Sequence, residues 1–263
     1  MEQQQRAEAF RALHEGAPFV IPNPWDAGSA RVLEALGFEA LATTSSGFAF
    51  TLGRLDAGAT LDELAAHVTL LSAATDLPVS VDLENGFGPA PADAATAIAR
   101  AAVAGAVGGS IEDWDPAGQL YEREHAVERV AAAADTARTL GFPFTLTARA
   151  ENHIRGNPDL DDTIARLQAY AEAGADVLFA PGLRTADDVR TVCEAVSKPV
   201  NVLVHGGLNR REVEEAGAQR MSVGGALCWS AVHAFAGVAN QLHAGDFSGL
   251  RGSRQIGEWL SQS

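Results

Sequence analysis

Eight short apolar runs, each followed by a stretch of helical period, constrain this chain more than any other feature. The runs are Phe19–Ile21, Ala40–Thr44, Val79–Val81, Gly109–Glu112, Phe144–Ala148, Val177–Ala180, Val200–Val204 and Arg220–Val223. Ala/Leu-rich helical patterns separate them, such as Gly28–Leu36, Leu61–Ala74, Ala92–Ala104, Ala126–Leu140, Leu160–Ala173 and Ala186–Val196. The phrases LGFEAL, AGAVGG, LGFPF, AGADVL and AGAQRM recur before strands, each supplying a glycine that can end a helix in the left-handed conformation. Parallel strands must be covered on both faces, and eight evenly spaced strand–helix units do this as an α/β fold of the (β/α)8 TIM-barrel type. A doubly wound open sheet is the competing arrangement. A helical stretch over residues 2–15 precedes the first strand, and a helical tail follows the last, ending near Gln255–Leu260. With 263 residues, 47% of them hydrophobic, the chain reads as one barrel domain spanning 1–263.

The formal net charge of −15 argues against nucleic acid and anionic membrane as partners, because both recruit basic surface. No apolar run is long enough to span a bilayer, and the charged start MEQQQRAEAF is neither signal peptide nor anchor. The two cysteines, Cys193 and Cys228, lie far apart without metal-binding spacing, which suits a reduced, cytoplasmic protein.

In a barrel of this type the chemistry sits at the carboxyl ends of the strands. The third run, VSVDLENGFG, places Asp82 and Glu84 there, and extended alternation would point both the same way. Glu112 ends the fourth run and Arg149 the fifth, while Thr44-Ser45-Ser46-Gly47 follows the second. Carboxylates on adjacent strands call for a cation, and oxygen ligands favour Mg2+, with Mn2+ possible. Hydroxyls, backbone N–H groups and an arginine suit a small anionic carboxylic acid. Metal, anion clamp and arginine together point to an α-keto acid or its enolate.

The motifs TSSG with LG and Asp downstream (Thr44 to Asp56), DLENGFG (Asp82 to Gly88), IED (Ile111 to Asp113) and AR-x-E (Ala148 to Glu151) resemble the isocitrate lyase / phosphoenolpyruvate mutase superfamily. PNPWDAGSARVLEALGF near the start and NVLVHGG with RMSVGGAL near the end are similar to its smaller members, so the resemblance covers roughly Pro22 to Leu242. It implies a Mg2+-dependent barrel enzyme that makes or breaks C–C or P–C bonds beside an α-keto acid, assembled as a homotetramer (a dimer of dimers). Carried over position by position, Asp82 would be the direct metal ligand, Glu84 and Glu112 would hold metal-bound waters, and Asp56 would lie near the metal shell. Ser45, Ser46 and Gly47 would bind the keto-acid carboxylate and Arg149 the substrate oxygens, with Asn201 and His205 lining the far side.

One stretch departs from the family pattern. Isocitrate and methylisocitrate lyases carry an acidic-catalyst cysteine after the fourth strand, whereas EDWDPAGQLYEREHAVERV has neither cysteine nor lysine. Tyr121 and His125, with Glu122 and Glu124, are the proton donors this stretch offers. The favoured activity is C–C cleavage of a small 2-hydroxy di- or tricarboxylate of the isocitrate or methylisocitrate kind. Oxaloacetate decarboxylation or hydrolysis, phosphonopyruvate-type mutase chemistry, and keto-acid binding with little turnover are the alternatives.

Overall fold

The computed structural model describes residues 1–261 and contains the eight expected strands in one parallel sheet. They are β1 (Phe19–Ile21), β2 (Leu41–Ala42), β3 (Val79–Asp82), β4 (Gly108–Glu112), β5 (Thr145–Arg149), β6 (Val177–Phe179), β7 (Val200–Leu203) and β8 (Arg220–Ser222). From β2 to β8 each strand pairs in parallel with the next, and β1 pairs with β8 through Phe19 opposite Arg220. The Ala42 N–H donates to the Pro22 carbonyl at 3.1 Å, bringing β2 against the end of β1 and the barrel close to closure. The open-sheet alternative is thereby excluded.

Helices cover the sheet: α1 (Gln3–Leu13), α2 (Ala27–Ala35), α3 (Ser45–Thr51), α4 (Leu61–Ala74), α5 (Pro91–Val103), α6 (Arg123–Thr139), α7 (Leu160–Glu172), α8 (Ala186–Ala195), α9 (Arg210–Glu215), α10 (Ala226–His243) and α11 (Arg254–Leu260). Alanines on α5 and α6, among them Ala94, Ala97, Ala101, Ala133 and Ala134, are buried in the main core, where small side chains let the helices approach closely. Helix α1 closes the amino end of the barrel. Phe10 packs so tightly there that a Cβ on Gly108 would meet its ring at 2.7 Å. No helix among the described residues is long and apolar enough to cross a membrane.

Two features differ from the sequence reading. The TSSG stretch opens α3 instead of forming a loop: the Thr44 hydroxyl accepts the Gly47 N–H at 3.3 Å as its N-cap. The stretch after β4 folds into a small antiparallel hairpin, Trp114–Asp115 against Gln119–Leu120. The Asp115 carboxylate accepts the Ala117 N–H there, and Gly118 takes a φ of +103° to complete the turn.

Candidate active site

β3 ends at Asp82, and the chain then turns sharply through LENGF. Glu84 (φ +50°) and Phe87 (φ +62°) adopt left-handed backbone, which is costly for a side-chain-bearing residue and tends to persist where a site depends on it. Gly86 (φ +81°) is required twice over, since a Cβ there would also meet the Ala94 Cα at 2.9 Å. Asp82 and Glu84 are therefore neighbours because of this turn, not because of strand alternation. The Glu84 N–H donates to Asp82 Oδ1 at 3.3 Å.

Asp82 is held from several sides. Its own N–H donates to the Thr43 hydroxyl (2.9 Å), its Oδ2 accepts the Ser45 N–H (3.3 Å), and its Oδ1 accepts from Arg149 Nη1 (2.9 Å). Glu112 and Arg149 lie opposite each other in the β4–β5 register, and Arg149 Nη2 stands 3.1 Å from Glu112. Glu151, fully buried, receives both Nε (3.1 Å) and Nη2 (2.7 Å) of Arg149 on one oxygen and Nε of Arg155 (3.0 Å) on the other. Arg155 also reaches Glu112 at 3.3 Å and lies over the Trp114 ring at 4.6 Å.

These charges shift one another. Burial pushes Arg149 towards losing its proton, but Glu151, Glu112 and Asp82 outweigh this and hold it well above the usual arginine range. Burial, reinforced by Asp82 and Asp56, pushes Glu84 up to about 8. Burial likewise raises Glu112, against the pull of Arg149. Such an excess of crowded carboxylate is what a cation would relieve.

Above these groups a cavity of about 160 Å³ opens at the carboxyl ends of the strands. It brings together Asp82, Arg149, Ser45, Ser46, Asp56 and Asn201 from the expected set. Gly47 does not line it: a Cβ there would meet Thr44 and the Trp25 Cβ, so its role in this fold is packing. His205 lies outside the cavity, exposed, its Nδ1 accepting the Gly207 N–H at 3.1 Å. Tyr121 and His125 are also elsewhere. The Tyr121 hydroxyl accepts from Asn85 Nδ2 at 3.0 Å and its ring lies under the Arg129 guanidinium at 4.6 Å, while His125 Nε2 pairs with the Pro89 carbonyl at 2.8 Å. Among the described residues, no three His, Cys, Asp or Glu side chains converge as a ready-made metal cage.

Beyond the expected Asn201, the cavity is lined by Arg220 and Ser222. Arg220, on β8, is buried and among the described residues donates to neutral groups: Asn201 Oδ1 (2.9 Å), Thr147 Oγ1 (3.0 Å) and His14 Nε2 (3.1 Å). Asn201, fixed in this way, donates to the Ser222 hydroxyl at 2.9 Å. Desolvation lowers Arg220 to about 9. The signal was present as a period-two pair, Arg220 and Ser222, inside an otherwise apolar run. Asp113 turns away from the cavity, accepting from the Tyr170 hydroxyl (2.6 Å), Arg166 (3.1 Å) and the Glu151 N–H (2.8 Å), and so fixes the segment after β5.

A phosphoenolpyruvate phosphomutase family model matches residues 10–243. The crystal structure of a candidate lyase/mutase from Burkholderia cenocepacia J2315 superposes with a TM-score of 0.95 at 52% identity, covering 98% of this chain and 96% of that one. The 2-methylisocitrate lyase of Halalkalibacterium halodurans is 34% identical over 210 residues, covering 75% of this chain and 67% of the relative. An oxaloacetate decarboxylase from Rhodopseudomonas palustris is 32% identical over 210 residues, covering 76% and 71%. A barrel with its polar groups at the carboxyl ends of β2 to β5, matched over nearly its whole length, belongs to the phosphoenolpyruvate phosphomutase family within the isocitrate lyase / phosphoenolpyruvate mutase superfamily of lyases and mutases.

Proposed function

We propose that this enzyme is a Mg2+-dependent carbon–carbon lyase that cleaves a small 2-hydroxy di- or tricarboxylate into an α-keto acid and a second acid. The observation that carries this reading is the meeting of Asp82, Arg149, Ser45 and Ser46 around one cavity. The donor set fits Mg2+, which takes one or two carboxylates and otherwise keeps water and substrate oxygens, so a closed cage is not needed. Asp82 would bind it directly, Glu84 and Glu112 would hold its waters, and Asp56 would stand at the mouth. Bound there, Mg2+ supplies positive charge where the reacting oxygens become negative.

The chain's own groups do the rest. Ser45 and Ser46 donate to the keto-acid carboxylate. Arg149, locked at full charge by Glu151 and Glu112, donates to the oxygen on which negative charge develops as the C–C bond breaks. Asn201, set by Arg220, presents its amide from below. Tyr121 and His125 do not line the cavity, which supports a proton donor other than these two. The relative named oxaloacetate decarboxylase keeps decarboxylation as a second reading, because that reaction does not require the cysteine missing here.

The test is an NMR screen of the purified enzyme with isocitrate, 2-methylisocitrate, 2,3-dimethylmalate, oxaloacetate and phosphonopyruvate, each with Mg2+ and with EDTA. EDTA-sensitive release of a keto acid from a hydroxy acid supports the lyase. Loss of oxaloacetate alone, or a phosphorus signal, transfers the assignment to decarboxylase or mutase. Binding without turnover in any tube would make it a keto-acid-binding protein.

We also propose that the chain works in the cytoplasm as a homotetramer of single-domain subunits. α10 is apolar but largely uncovered: Cys228 is buried, while Phe235 is 74% and Trp229 39% exposed, with Phe247 and Leu250 exposed just beyond. An apolar helix left exposed in this way is suited to a second copy.

A further inference from the structure

At the amino end of the barrel, opposite the cavity described above, a larger hollow of about 460 Å³ opens between α1, the end of α6 and the starts of β5 to β7. That volume lies within the roughly 300–1,000 Å³ of small-molecule sites. Half-buried Phe142, Pro143 and Pro199 give it apolar walls. Three cations stand around it: Arg11 on α1, Arg138 on α6 and Lys198 just before β7. Lys198 is the single lysine of the chain. Between the cations, Asp176 is tied to the barrel by its Oδ2, which accepts the Leu146 N–H at 2.8 Å. Removal from water raises the Asp176 carboxyl, and the Leu146 N–H, Lys198, Arg138 and Arg11 pull it back, so all three cations lie near this one group.

Arg138 is already engaged: it pairs with Asp135 and lies across Gly174, where a side chain would collide with its guanidinium. Arg11 and Lys198 make no ion pair and no side-chain hydrogen bond among the described residues. Helix dipoles favour a cation in the last turns of α1 and α6, which accounts for the positions of Arg11 and Arg138 but not for their gathering with Lys198 around one hollow. The lining carries these three cations against Glu15 and Asp176, one positive charge in excess, in a chain whose net charge is −15. We propose that this hollow binds a small organic oxyanion, a phosphate monoester or a dicarboxylate. Arg11 and Lys198 meet its oxygens by charge-assisted hydrogen bonds, and Phe142, Pro143 and Pro199 take its apolar body. His14 forms part of the wall and accepts from Arg220, which lines the catalytic cavity, so a layer of side chains separates the two sites and both can be filled at once. The site stands whether or not the catalytic cavity cleaves a carbon–carbon bond.

The experiment titrates phenyl phosphate, phthalate and inorganic phosphate into the full-length protein in metal-free buffer, by calorimetry. Wild type, Lys198→Arg and the double variant Arg11→Ala/Lys198→Ala are measured side by side. Phenyl phosphate or phthalate is expected to bind wild type, the better of the two about tenfold tighter than inorganic phosphate because its ring is buried. Phenyl phosphate as the better probe assigns the site to phosphate monoesters, and phthalate assigns it to dicarboxylates. The double variant is expected to weaken that probe at least about tenfold, while Lys198→Arg keeps its affinity within about threefold. Circular dichroism of the double variant is expected to match wild type, since neither side chain carries a contact of the fold. Because Lys198 is the single lysine, acetylation followed by mass spectrometry reads occupancy directly. Labelling of Lys198 is expected to slow about tenfold with the better probe at ten times its Kd, with the amino-terminal amine unaffected. The proposal is overturned if neither ring-bearing probe binds wild type, if the double variant binds as well as wild type, or if bound probe leaves Lys198 labelling unchanged.

Discussion

Arg149 Nη1 lies 2.9 Å from Asp82 Oδ1, joining the ends of β5 and β3 across 67 residues of sequence. The same guanidinium is also held by Glu112 and by two donors to Glu151, so its position does not depend on Asp82 alone. On the proposed reading, Asp82 would exchange this contact for a cation while Glu112 and Glu151 keep Arg149 aimed at the cavity. Arrangement before substrate arrives, with no reorganisation at the moment of reaction, is what makes electrostatic catalysis effective.

Glu151 is the support on which this depends. Glu151→Gln leaves Arg149 and Arg155 facing a neutral amide, and breaking a buried charge pair of this kind typically costs about 3 kcal/mol or more. Urea unfolding is expected to show a loss of roughly that size. Turnover is expected to fall at least tenfold through kcat, because Arg149 is no longer held in place. A variant with wild-type stability and kcat would show that Arg149 is fixed by other contacts.

Tyr121→Phe and His125→Ala test the correction made by the fold. Both side chains contact the Asn85–Pro89 turn and the start of α6, not the cavity. Steady-state kinetics are expected to show kcat within about threefold of wild type for each. Tyr121→Phe should lose about 1 kcal/mol of stability with the Asn85 hydrogen bond. A hundredfold fall in kcat would restore them as acid–base candidates.

His14 gives a pH signature of folding. Burial, and then the nearby Arg220, lower it to about 3, and its Nδ1–H donates to the Phe10 carbonyl while Nε2 accepts from Arg220. Between about 6.5 and that value the unfolded chain binds a proton that the folded chain refuses. The stability is therefore complete above pH 6.5 and is lost as pH falls, by up to about 1.4 kcal/mol per unit. In His14→Gln the drop in unfolding free energy from pH 7 to pH 5 is expected to shrink by about 2 kcal/mol. An unchanged drop would mean His14 is protonated in the folded state.

Phe235→Glu probes the uncovered face of α10, where Phe235 is largely exposed. Light scattering after size exclusion is expected to give a smaller species than wild type, with an unchanged circular dichroism spectrum. Equal masses for both proteins would place the subunit interface elsewhere.

The strands and most helices were legible because apolar period and helix-ending glycines are local signals. α3 was not, since Thr44-Ser45-Ser46-Gly47 has loop composition and its helical state is fixed by the Thr44 cap and by burial of Phe48 and Ala49. Asp82, Glu112 and Arg149 stood out as candidates because strand ends locate them, and the structure puts Asp82 and Arg149 on the cavity, with Glu112 beside Arg149. Tyr121 and His125 do not line the cavity, because the segment after β4 closes as a hairpin, which nothing local in the sequence reveals. Arg220 was missed because an arginine in a strand gives no hint that its partners, His14 and Thr147, come from the opposite end of the sequence and the middle of the barrel.

The most direct test of the Asp82-centred site is calorimetric titration of oxalate, a planar dicarboxylate resembling a keto-acid enolate, into wild type and Asp82→Ala with and without Mg2+. Wild type is expected to bind oxalate only when Mg2+ is present, and Asp82→Ala is expected to lose binding by about 100-fold or more under the same conditions. Equal binding by both proteins, or by wild type in EDTA, would contradict a cation held by Asp82 in this cavity.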